Sequence, residues 1–102
     1  LNAIVLERLS EGITLEQAAA LLGDKATTIS HRLRRKLGVS FSEYVAQLRI
    51  EKAKESLRRT KLTATEVARR VGFSDQSNFG KTFRHLVGMS PLEYRRRFGR
   101  RG

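Results

Sequence analysis

A chain of 102 residues, 39% of them hydrophobic, holds one domain or two very small ones, with a modest core. Its 21 Lys and Arg outnumber 10 Asp and Glu, giving a formal net charge of +11 that favours a polyanionic partner, nucleic acid first and acidic membrane second. The lack of cysteine excludes disulfides, thiolate metal sites and thiol nucleophiles within the chain, and no apolar run approaches the ~18 residues of a membrane span.

No signal peptide is visible. The chain begins with Leu1 rather than Met and runs straight into the apolar pattern AIVLERL, so it is expected to be a piece of a longer protein, with a processed start as the alternative. Helical spacing predicts a first helix over 2–10. Thr14-x-x-Gln17 reads as a capping box that opens a helix over 14–22, with Leu15, Ala18, Ala19 and Leu22 on one face and Gly23 at its end. A third helix, 26–37, has Ile29, Leu33 and Leu37 on its apolar side and ends at Gly38. Its other side carries Thr27, Thr28, His31, Arg34 and Arg35.

Ser40-x-x-Glu43 opens a long helix over 41–59. At ~100° per residue, Phe41, Tyr44, Val45 and Leu48 share one direction, while Ile50, Ala53 and Leu57 point roughly opposite. The apolar stripe changes sides near Arg49. Such a helix either connects two cores or is buried on both sides of one core. Thr63-x-x-Glu66 opens a helix over 63–71, with Val67 and Val71 apolar and Gly72 following. The helix over 75–87 has Phe79, Phe83 and Leu86 on one side and Ser77, Asn78, Lys81, Arg84 and His85 on the other, with Gln76 to the side in its first turn. Ser90-x-x-Glu93 opens the last helix, 91–98, where Pro91 takes the first helical position that needs no N–H.

These elements repeat. Thr14, Ala19 and Gly23 fall on Thr63, Ala68 and Gly72 at an offset of 49. Ile29, Leu33, Gly38, Ser40, Glu43 and Tyr44 fall on Phe79, Phe83, Gly88, Ser90, Glu93 and Tyr94 at an offset of 50. The extra residue lies just after the first glycine of the second copy, which marks a turn between two helices. Helix, short Gly-containing turn, helix is the helix-turn-helix pattern. Because each copy requires its own core, the connector reading of 41–59 is preferred. The expected fold is all-α: seven helices, with a first helix-turn-helix subdomain over 1–40, a connector helix over 41–60 and a second subdomain over 61–102.

The outward faces of 26–37 and 75–87 put short hydrogen-bonding groups near the helix start and cations further along. This is the chemistry needed to enter a major groove, where Asn and Gln suit adenine and Arg and Lys suit guanine. A solvated helix face is the plainer alternative for either helix alone. Residues 1–51 hold 7 basic and 6 acidic groups, and residues 52–102 hold 14 and 4, so phosphate attraction is expected mainly in the second half. His31 and His85 lie in different copies without carboxylate or thiol partners, so no metal site is expected. No Gly-rich phosphate loop, nucleophile–base pair or carboxylate pair stands out, so neither an enzyme nor a cofactor is expected. The tail RRRFGRRG, residues 95–102, reads either as a phosphate-contacting or frayed basic end or as a solubilising terminus.

The segments RIEKAKESL (49–57) and TATEVARRVGFSDQSNFGKTFRHLVGMSPLEYRRRF (63–98) resemble the AraC/XylS family of bacterial transcription regulators. The resemblance runs through nearly the whole chain. It implies two helix-turn-helix subdomains on a central helix, forming a C-terminal DNA-binding domain whose N-terminal sensing or dimerisation domain is missing here. It further implies base contacts from Thr27, Ser30 and His31 in the first recognition helix and from Gln76, Ser77, Asn78 and Lys81 in the second. Phosphate contacts would come from Lys25, Arg34, Arg35, Arg84 and Arg95. Two features depart from the family pattern: Asp24 stands where an apolar residue usually follows the glycine, and Gly80 interrupts the second recognition helix.

The expected function is therefore sequence-specific binding of double-stranded DNA, through two recognition helices in successive major grooves, in a cytoplasmic transcription regulator that joins the nucleoid when bound. The regulator is expected to be an activator, which requires contact with RNA polymerase. The rival readings are non-specific coating of nucleic acid by a basic helical protein and a protein-interaction module.

Overall fold

The computed structural model describes residues 1–99. Among them are seven helices and no strand: α1 (Asn2–Glu7), α2 (Leu15–Leu22), α3 (Ala26–Leu37), α4 (Phe41–Arg59), α5 (Ala64–Arg70), α6 (Gln76–Val87) and α7 (Pro91–Phe98). The all-α expectation holds. The chain divides into two compact units, one covering Leu1–Leu48 and one beginning at Arg49. The division falls inside α4, at the place where its apolar stripe changes sides.

The sequence-level start signals act as hydrogen bonds. At α2 the Thr14 hydroxyl accepts from the Gln17 backbone N–H at 3.1 Å, and the Gln17 side chain accepts from the Thr14 N–H at 2.9 Å. The same reciprocal pair joins Ser40 to Glu43 and Thr63 to Glu66. Each satisfies N–H groups that the first helical turn leaves without partners. At α7 the Ser90 hydroxyl accepts from the Glu93 N–H at 3.1 Å, with Pro91 behind it.

The first unit packs Val5 and Leu9 against Ala18 and Ala19 of α2, Ile29 and Leu33 of α3, and Phe41, Tyr44 and Val45 of α4. The first helix is shorter than expected, ending at Glu7 rather than near residue 10. Ser10 and Gly12 are weak helix formers, and Gly12 adopts a φ of 85°, so the chain unwinds while Leu9 still reaches the core.

The second unit is more aromatic. Ile50, Ala53 and Leu57 from α4 pack with Val67, Ala68, Val71, Phe73, Phe79, Phe83 and Tyr94. Phe73, Phe79, Phe83 and Tyr94 form a chain of tilted and edge-on rings with successive centroids 5.3, 5.8 and 5.7 Å apart. Full burial of Phe79 and Phe83 contributes roughly 1.5–3 kcal/mol each, before the cost of ordering the side chains. The Arg49 guanidinium lies over the Phe73 ring, 5.6 Å from its centroid.

Two expectations about the core change. Leu22, Leu37 and Leu86, assigned to the apolar sides of their helices, are exposed in the last turns of α2, α3 and α6. Phe73, read only as part of a turn, is buried. Residues 100–102 of the basic tail lie outside the described residues.

Candidate nucleic-acid interface

Each unit holds a two-helix motif closed by a glycine turn. Gly23 ends α2 and Gly72 follows α5, both with positive φ (70° and 104°), which a side chain would strain. The next residue then donates its N–H back to the helix. Asp24 N bonds Ala19 O and Phe73 N bonds Ala68 O, both at 2.9 Å. The two turns thus share this backbone bond, and the second unit inserts Ser74 before the next helix begins.

In α6, Phe79 and Phe83 are buried, which fixes the opposite face outward. Lys81 stands nearly diametrically opposite the two rings, flanked by Ser77, Asn78, Arg84 and His85, all exposed. Gln76 is exposed at the first turn. The Asp75 carboxylate accepts from the Ser77 N–H at 2.9 Å, which caps the helix start. Gly80 is half-buried beside Phe79, and a Cβ built there meets nothing within 4 Å.

In α3, Ile29 and Leu33 are buried, and His31 takes the place opposite them that Lys81 takes in α6. Thr27, Thr28, Arg34 and Arg35 are exposed around it. Ser30 is half-buried toward the flank, at the position equivalent to Gly80. Lys25, exposed before the first turn, offers the helix no side-chain cap, unlike its counterpart Asp75. Thr27, Thr28, His31, Arg32, Arg35 and Lys36 together line an open recess.

Among the described residues, no carboxylate forms an ion pair with Lys25, Arg35, Lys81 or Arg84, while Arg34 lies close enough to Glu43 to help lower its carboxyl pKa. Arg34 donates to Gly38 O at 3.3 Å and so caps its own helix. Arg95 is placed differently from the other expected phosphate contacts. It is half-buried, and its guanidinium donates to Leu57 O at 3.1 Å and Thr60 O at 3.3 Å. The sequence reading did not single out Arg32 or Lys36. Neither lies on the outward face by helical angle, yet both line the recess.

Among the described residues no polar or charged residue is buried, and no three His, Cys, Asp or Glu residues cluster as metal ligands do. Among the described residues no helix is long and apolar enough to cross a membrane. The arrangement offers two polar, cation-bearing helix faces, each held on an apolar core.

A family model described as "Helix-turn-helix domain" matches residues 18–97, from α2 through α7. The chain is 39% identical over 88 residues to an uncharacterised HTH-type transcriptional regulator, YdiP, of Escherichia coli K12, a match covering 86% of this chain and 29% of the relative. The chain therefore spans under a third of that protein's length. It is similar in structure to the C-terminal domain of AraT, a response regulator from Geobacillus stearothermophilus, with 33% identity, a TM-score of 0.85, and coverage of 97% of this chain and 83% of that one. It is also similar to the DNA-binding domain of AdpA, a global transcriptional factor solved in complex with a target DNA, with 29% identity, a TM-score of 0.84, and coverage of 95% and 87%. With matched residues running through both helix-turn-helix units, the chain belongs to the AraC-type helix-turn-helix family, as a DNA-binding domain of a bacterial transcription regulator.

Proposed function

We propose that this domain reads specific DNA sequences by setting α3 and α6 into successive major grooves. The observation that carries the proposal is Lys81, exposed opposite Phe79 and Phe83 on α6 and unpaired with any carboxylate among the described residues. A cation at the centre of an outward helix face, with Gln76, Ser77 and Asn78 before it, suits base edges. Thr27, Ser30 and His31 are the corresponding readers in α3. Lys25, Arg34, Arg35 and Arg84 serve as phosphate contacts, which position the domain without choosing sequence. Arg95 joins them with the donors its bonds to Leu57 and Thr60 leave over.

The resemblance to AraC/XylS regulators supports an activator that touches RNA polymerase, with a sensing or dimerisation domain elsewhere in the parent protein. The location that goes with this reading is the cytoplasm, on the nucleoid when bound. Selection of bound fragments from a random DNA pool tests the proposal. An enriched motif that random competitor DNA displaces only at a large excess supports it, because non-specific coating shows no such ratio. Equal competition by random DNA overturns it.

A further inference from the structure

We propose that Asp24 sets the affinity of the first helix-turn-helix unit, by holding the Arg32 guanidinium and cancelling one of the cations that α3 presents beside its outward face. This rests on the reading of α3 as a DNA-facing helix. Asp24 Oδ2 lies 3.7 Å from Arg32 Nη2, with both side chains partly exposed. Arg32 also lines the recess shared with Thr27, Thr28, His31, Arg35 and Lys36. Among the described residues it is the one cation of α3 within 4.0 Å of a carboxylate, Arg34 acting on Glu43 from further away.

The repeat makes the choice of residue informative. Asp24 and Phe73 follow the turn glycines and donate the same 2.9 Å backbone bond. Phe73 spends that position on the core, stacking edge-on against Phe79. Asp24 gives up the apolar contact that such a turn usually carries and puts a negative charge there instead. The fold of the first unit does not require the acid. Its electrostatic consequence is specific: an acid beside the turn repels phosphate and occupies the neighbouring guanidinium. The unit with the smaller cationic excess thus carries an attenuator, and its hold on DNA is weaker and less steeply dependent on salt.

Because phosphate attraction is independent of sequence, the effect falls on all DNA alike. The test measures binding of the selected site and of random DNA across salt concentrations for the native chain, D24N, R32A and the double variant, with thermal unfolding as a control for folding. For D24N we expect about three- to tenfold tighter binding to both DNAs at low salt, an unchanged ratio between them, and a salt slope steeper by up to about 0.9. In the R32A background the same substitution should give a clearly smaller gain. Unchanged affinity and slope in a folded D24N overturn the inference, as does a gain equally large without Arg32. Absence of salt-dependent DNA binding by the native chain overturns both this inference and the reading it rests on. Selective binding with no response to D24N overturns this inference alone.

Discussion

The Tyr94 hydroxyl accepts a hydrogen bond of 2.8 Å from Arg58 Nη1. This bond fastens α7 to the last turn of α4, and the next residue, Arg95, donates to the carbonyls of Leu57 and Thr60. Helix C-termini leave such carbonyls without intrahelical donors, so Arg95 finishes the end of α4 while Tyr94 holds the Arg58 side chain. The ring of Tyr94 packs in the core on Phe83. Tyr94→Phe keeps the ring and removes the hydroxyl. Urea unfolding is expected to show a loss of about 1 kcal/mol with an unchanged denaturant slope.

Phe73 and Asp24 occupy equivalent places after their turn glycines, and their substitutions should diverge. Phe73→Ala empties a buried ring site between Phe79 and the Arg49 guanidinium, at an expected cost of about 3–5 kcal/mol. Asp24→Ala removes a partly exposed ion pair and should cost under about 1 kcal/mol. Denaturant unfolding of the two variants checks the contrast, and equal losses would contradict the assignment of Phe73 to the core.

Glu66 gives the cap of α5 a pH dependence. Hydrogen bonds from the Thr63 backbone N–H and hydroxyl, with Arg70 and Arg69 nearby, hold its carboxyl below the ordinary 4.5. The folded pKa is the depressed one. Its stabilisation is therefore complete above the unfolded value and disappears as pH falls through the folded value. Thermal unfolding of native and Glu66→Ala chains should differ at neutral pH and converge as the pH drops below 4.5. A difference that stays constant down to acid pH would contradict the capping role.

Much of this fold was legible in the residues themselves. Cap residues fixed helix starts, because Thr14, Ser40, Thr63 and Ser90 each precede a partner three positions on. Apolar spacing identified Ile29, Leu33, Phe79 and Phe83 as inward, and thereby the faces opposite them as outward. What failed depended on tertiary contact. Spacing continued α1 toward residue 10, whereas Gly12 with its φ of 85° ends it earlier while Leu9 stays buried. Spacing also placed Leu22, Leu37 and Leu86 inside, although all three side chains are exposed near the ends of their helices. Phe73 carried a turn signal from its neighbour Gly72 that concealed its core role. The ties of Arg95 to α4 span 38 and 35 residues, a separation that no local pattern reports.

The two cations of α6 should separate choice from affinity. Lys81→Ala is expected to relax preference at one base pair and to cost about 1–3 kcal/mol on the selected site. Arg84→Ala should weaken all sequences alike and reduce the salt slope by about one. Fluorescence anisotropy with matched and scrambled duplexes distinguishes them, and equal losses on both duplexes for Lys81→Ala would remove its base-reading role.

The most direct measurement is hydroxyl-radical footprinting of the domain on a duplex recovered from a random pool. The account predicts an enriched sequence with two protected patches on one face of the DNA, about 34 Å or one helical turn apart. Uniform protection along the duplex, or the same pattern on unselected DNA, would contradict it.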